Sequence, residues 1–157
     1  MFEAPSPANG FHAGHVQLLR QTLRRWTGIE LIAGNDADAG RWLFEAPFVV
    51  LSHDTQADPV FTYGNRAALT LFELNWRELV HMPSRLSAEP LARPERTRLL
   101  DQVTVNGFID DYAGVRVSRT GKRFRISTAT VWTLITAAGS TVGQAAMFAE
   151  WVPLAPR

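Results

Sequence analysis

Two adjacent aspartates, Asp110 and Asp111, are the residues best suited by type to acid–base chemistry. They fall in a stretch with strand character, where neighbouring side chains point to opposite faces. One of them can then enter an apolar pocket, and desolvation would raise its carboxyl pKa towards that of a general base. The structural alternative is a strand-end pair bonded to Arg116 or Arg125. Histidines offer less. His12 and His15 share a helix face at a frayed end, His53 falls in an exposed turn, and His81 precedes Met82. His81 is the candidate axial ligand if haem were bound, and otherwise a surface histidine at a helix end. Asp36 and Asp38 imitate the start of a calcium loop but lack its later ligands, so residues 33–40 are expected to be a plain linker.

The chain contains no cysteine. That excludes disulfides, thiolate metal sites, thiol nucleophiles and cysteinyl–flavin adducts. Nor is a Ser/His/Asp set, a glycine-rich phosphate loop or a metal motif visible. Arginine is the better prospect, because a guanidinium turned into a pocket can hold a carboxylate through two hydrogen bonds. Arg85 lies in an irregular segment between Pro83 and Pro90, and Arg116 and Arg125 lie on late strands. The aromatics Phe72, Trp76, Tyr112, Phe124 and Trp132 either floor a cavity for an apolar or planar ligand or fill a core. The expected pocket joins Phe72, Trp76, Tyr112 and Trp132 to His81, Met82, Ser84, Arg85, Arg116, Arg125 and Gln144.

The elements that must position these groups follow from periodicity. Val16, Leu19, Leu23 and Trp26 recur at helical spacing over about 12–26, and Gly28 stops that helix. Apolar β-branched runs predict strands at 47–52 and 60–63, paired as a hairpin. Asn65 caps a helix carrying Ala68, Leu71 and Phe72, and a short helix follows over 75–80. Residues 82–90 are irregular. Pro94 opens a helix to Val105 with Leu99, Leu100 and Val103 inward. The period then changes to that of strands at 108–117, 123–135 and 141–152, joined by turns at Ser118–Gly121 and Ala137–Ser140. Phe124, Ile126, Thr128, Thr130, Trp132 and Leu134 alternate as one continuous face. Helices inserted between two strands and three strands predict an α+β fold: a five-stranded antiparallel sheet with short helices on one face and an N-terminal helix.

At 157 residues the chain suits one domain. Sixteen basic against fifteen acidic residues leave +1, too balanced to favour nucleic acid as a partner. No secretory signal and no apolar run long enough to cross a bilayer is visible, so no membrane partner and a cytoplasmic location are expected.

The stretch from Tyr63 to Phe72 resembles the PAS core signature, and Gly107 to Phe148 resembles the PAS C-terminal meander. More narrowly, residues 44–151 are similar to the MEKHLA family, a PAS-related group of small bacterial proteins and of C-terminal regions in plant class III homeodomain–leucine-zipper transcription factors. The similarity is carried by Glu45-Ala46-Pro47-Phe48, Tyr63-Gly64-Asn65, the run Met82 to Pro90, Gly114-Val115-Arg116-Val117-Ser118 and Gly143-Gln144-Ala145-Ala146. Beside the tail, helix and linker read over 1–43, the resemblance implies a PAS-like domain over 44–152. It supplies no established chemistry. Flavin photosensors of the light-oxygen-voltage type carry a glutamine on their last strand; Gln144 is the counterpart sought here, although it directly follows Gly143. The expected function is a PAS-like small-molecule-binding or sensory/regulatory module acting through protein–protein association, as a homodimer touching through Leu19, Leu23 and Trp26. No cofactor is required by the sequence, and any ligand is of unknown identity. A small cofactor-free enzyme of the ketosteroid-isomerase type, using a pocket Asp or His, is the alternative. A purely structural dimerisation domain is the second.

Overall fold

A computed structural model describes residues 3–91 and 93–156. After a short 3-10 segment, helix α1 (Ala13–Thr27) buries Val16, Leu19 and Leu23 completely and stops where Gly28 turns left-handed at φ 76°. The stripe expected to meet a second copy is therefore spent within the chain. Leu19 and Leu23 pack in the chain's own core, and the Trp26 indole donates to the Thr133 carbonyl at 2.8 Å. Arg20 is also buried on this helix. Its guanidinium donates to Asp36 Oδ1 (3.0 Å) and to the carbonyls of Ile32 (3.3 Å) and Gly34 (3.1 Å), fastening the next loop to α1.

The linker expected over 33–40 is largely a helix, α2 (Asp36–Glu45). Asn35 caps it by accepting from the Asp38 N–H at 2.9 Å. Asp36 and Asp38, read as loop residues, lie in its first turn, where the positive end of the helix dipole favours carboxylates. Gly40 is there because a Cβ would press on the Phe11 carbonyl at 3.0 Å.

The strands are β1 (Val49–His53), β2 (Phe61–Gly64), β3 (Phe108–Val117), β4 (Arg123–Ile135), β5 (Thr141–Phe148) and β6 (Trp151–Pro153). They form one antiparallel sheet in the order β2-β1-β5-β4-β3, so the two early strands do join the late meander. The last expected strand breaks at Ala149–Glu150, and its end, β6, pairs separately beside Phe124–Ile126 of β4. Between β2 and β3 come α3 (Arg66–Phe72), α4 (Trp76–Leu79), a 3-10 turn (Ser84–Ser87) and α5 (Arg93–Asn106). Helix α1 covers one face of the sheet, where Thr22 accepts from the Trp132 indole at 3.0 Å. The short helices stand over the other face.

Two one-residue bulges interrupt the β3–β4 ladder. Ile109 pairs with Val131 and Tyr112 with Ala129, so β3 carries an extra residue at Asp110–Asp111. Tyr112 pairs with Ala129 and Gly114 with Ile126, so β4 carries one at Ser127–Thr128, and Thr128 has φ 54°. The single face read along β4 is thus two faces. Phe124 meets Phe72 on the helix side, whereas Trp132 turns to α1.

Asn65 ties the first half together. Fully buried, its Oδ1 accepts from the N–H groups of Val50 and Ala68 (both 3.1 Å). Its Nδ2 donates to the carbonyls of Leu43 (3.1 Å) and Phe48 (2.8 Å). All four hydrogen-bonding positions of the amide are used. Asn65→Ala strands four backbone groups, and urea unfolding should show a loss on the order of 3 kcal/mol. Asn65→Asp should lose nearly as much at neutral pH, since its carboxylate would face the Leu43 and Phe48 carbonyls without a donor. A loss below about 1 kcal/mol for either variant would contradict this account.

Candidate ligand cavity

The segment expected to be irregular, Met82 to Pro90, acts as a strap across the sheet. At one end Phe61 N–H donates to the Met82 carbonyl (3.1 Å) and Ser84 N–H to the Pro59 carbonyl (2.8 Å), on the open side of β2. At the other end Glu89 N–H donates to the Val115 carbonyl (3.0 Å), and Ala88 bridges Arg116 on the open side of β3. Beneath it lies a cavity of about 460 Å³. Its apolar wall comes from Leu51, Phe61, Val131 and Ala146 of the sheet and Leu99 and Leu100 of α5. Its polar groups come from His53, Ser84, Arg85, Glu89, Tyr112, Arg116 and Gln144.

Arg116 is the cation best placed within it. Its Nη1 donates to Ser87 Oγ (3.3 Å), and its guanidinium carbon stands 5.7 Å from the Tyr112 ring centre. The Tyr112 ring needs Gly114 beside it, because a Cβ there would sit 2.8 Å from the tyrosine oxygen. Arg85, also on the wall, turns its guanidinium outward to Asp58 (3.1 Å). Glu89 accepts from Arg123 Nε at 2.5 Å, the two holding each other at the pocket rim; this hydrogen bond raises the Arg123 pKa.

Of the residues expected to share a pocket, Ser84, Arg85, Tyr112, Arg116 and Gln144 meet at this cavity. The others do not. Phe72 packs on Phe124, and Trp132 faces α1 because of the β4 bulge. Trp76 joins an aromatic cluster beside α1, His81 is exposed with Nδ1 on the Arg77 carbonyl (2.7 Å), and Arg125 is exposed. Met82 contributes its carbonyl to the strap rather than its side chain to the cavity wall. Both aspartates proposed as acid–base groups are exposed, since the bulge turns each away, and Asp111 is bonded to Arg98 (3.2 Å). His53, expected in an exposed turn, ends β1 and lines the cavity. Leu100, expected inward, keeps 55% of its surface exposed at the cavity mouth. Sequence reasoning missed Leu51, Phe61, Val131 and Ala146. Leu51 and Phe61 lie in the predicted hairpin, and only strand pairing shows that Leu51, Ala146 and Val131 form one row. Among the described residues, no three His, Cys, Asp or Glu side chains are grouped to hold a metal ion, and no helix is long and apolar enough to cross a membrane.

A curved antiparallel sheet in this strand order, with short helices and a strap over one face, is a PAS-type fold. The MEKHLA domain's sequence model matches residues 13–153, and the chain belongs to that PAS-related family. The match begins at α1. No curated protein sequence matches the chain. Among solved structures, the light-state dimer of the fungal blue-light photoreceptor Vivid is similar with TM-score 0.59 and 14% identity, covering 85% of this chain and 90% of that one. The PAS domain of a protein from Colwellia psychrerythraea gives 0.58 and 12%, over 73% and 92%. The light-oxygen-voltage domain of a blue-light activated histidine kinase from Erythrobacter litoralis gives 0.54 and 16%, over 70% and 98%. At such identities the likeness is one of fold.

On the face opposite the cavity, His15 reaches from α1 to Ser52 Oγ (2.8 Å), which also contacts Thr62 Oγ1 (2.8 Å). Its ring lies 5.6 Å from that of Tyr63. Burial, with a smaller contribution from nearby His12, pushes the His15 pKa down to about 4. The unfolded chain therefore takes up a proton near pH 6.5 that the folded one refuses until about pH 4. Folding loses stability across that window as pH falls. Between about pH 7 and about pH 4.5 the wild type should lose about 2 kcal/mol more than His15→Gln, measured by urea unfolding. Identical pH profiles would contradict the assignment.

Proposed function

We propose that this domain is a small-molecule-binding sensory or regulatory module that works through association with another protein. The cavity under the strap carries the reading. It has the size and the apolar wall with a few convergent polar groups that suit a small ligand. Among the described lining residues the single carboxylate, Glu89, is held by Arg123, the single histidine, His53, has its Nδ1 on the Asp54 carbonyl at 2.8 Å, and there is no aspartate, which favours binding over acid–base catalysis. The cavity holds no thiol, so an adduct-forming flavin would find no nucleophile. A second copy of this chain is the proposed partner. Ile29 and Trp42 leave 47% and 42% of their surface exposed on and after the α1–α2 loop, and Vivid is itself seen as a dimer in its light state.

Native mass spectrometry of the purified protein should show a retained compound released on denaturation. Ala146→Leu, which fills the cavity from β5, should lose that compound while folding normally. A ligand at about 100 times its Kd should raise Tm by about 5–10 °C in the wild type and leave the variant unmoved. A bare-chain mass, together with an unmoved Tm across a library of small acids and neutral compounds, would overturn the reading.

A further inference from the structure

Resting on the reading of the cavity as a ligand site, we infer that its occupant is an apolar molecule bearing a carboxylate, and that Arg116 binds that group. The reason lies in what Arg116 lacks. Its Nε is enclosed by protein without a hydrogen-bond partner, and its Nη2, which is not enclosed, makes no hydrogen bond among the described residues either. Ser87 Oγ takes one Nη1 proton, and that hydroxyl gives its own proton to the Ser84 carbonyl at 2.7 Å, so Ser87 cannot supply charge. Among the described residues Arg116 enters no ion pair, while Arg85 is paired with Asp58 and Arg123 with Glu89. A guanidinium that borders a cavity with no counter-ion and with an open, unpaired Nη2 is the group there with most to gain from an anion.

The chemistry that satisfies it is specific. A carboxylate matches the planar fork of a guanidinium with two parallel hydrogen bonds, which a neutral amide cannot equal. The Tyr112 ring holds the guanidinium from one side and the Ser87 hydroxyl holds Nη1, so the cation is oriented before the ligand arrives. Away from Arg116 the wall is Leu51, Phe61, Val131 and Leu99, which suits a hydrocarbon or aromatic body. A free phosphate or a sugar would leave that wall uncovered.

Two matched probe pairs test this by titration calorimetry: octanoate against octanamide, and 4-phenylbutanoate against 4-phenylbutanamide. The wild type should bind each acid about 30-fold more tightly than its amide. Arg116→Gln should abolish the preference, weakening the acids far more than the amides. Arg116→Lys, which keeps the charge and loses the fork, should retain part of the preference. Ala146→Leu should bind none of the four. Equal binding of acid and amide by the wild type would overturn the carboxylate assignment and leave the cavity reading standing. Failure of all four probes to bind the wild type would overturn the carboxylate assignment; the cavity reading would then fall only if the purified protein also carried no compound in native mass spectra. The wild-type comparison needs no variant, so it holds even if Arg116→Gln fails to fold.

Discussion

The strap from Met82 to Glu89 hydrogen-bonds to both edges of one sheet, and most of the structure follows from that constraint. In a flat sheet the free N–H and C=O groups of the two edge strands point in opposite directions. A segment of this length can meet both only if the sheet curls until β2 and β3 look towards each other. The curl makes the concave face, and the strap roofs it, so the cavity results from closing the sheet rather than from loose packing. The same contacts occupy edge groups that would otherwise be open to another chain. They also explain the position of Arg116, whose backbone bridges Ala88 while its side chain reaches Ser87 inside the strap.

A curled sheet with helices on both faces needs side chains that change sides, and the bulges supply this. The extra residue at Ser127–Thr128 lets one strand present Phe124 and Ile126 to the helix side and Trp132 and Leu134 to α1. Nothing in the local sequence marks it. Thr128 is β-branched and takes φ 54°, a conformation in which glycine or asparagine would be expected. Unbroken alternation from Phe124 to Leu134 was therefore the natural reading, and it put Trp132 on the wrong face. The matching bulge at Asp110–Asp111 likewise spoils the rule that neighbours face opposite ways. It removes the pair of acids that had made catalysis plausible from type alone.

The strand grouping, the α3 cap at Asn65 and the helix opening near Pro94 were legible because each has a local cause: β-branched runs, a capping side chain, a proline at a helix start. The second helix was missed for an equally local reason. Ala33 to Gly40 has loop composition, and the signal lay in the order Asn35-Asp36-Ala37-Asp38, a cap followed by first-turn carboxylates. Arg20, which holds that loop to α1, was hidden among polar residues of an amphipathic helix. At the cavity the sequence favours Arg85, in a loop between sheet and helices, over Arg116 on a strand, and the structure reverses that order. What separates them is Asp58, a long-range partner that no spacing rule predicts.

β4 links the two faces of the sheet. Val131 lines the cavity, and the next residue, Trp132, donates to Thr22 of α1; Thr133 then accepts from the Trp26 indole on the same helix. Adjacent residues on a strand move together, since the rigid peptide between them leaves few soft degrees of freedom. Val131 on the cavity wall thus stands one and two peptides from the two hydrogen bonds that join the sheet to α1. Helix α1 is in turn fastened by Arg20 to the loop before α2, beside which Ile29 and Trp42 stand exposed. The chain thus connects the concave face to its outer surface through one strand and one buried arginine.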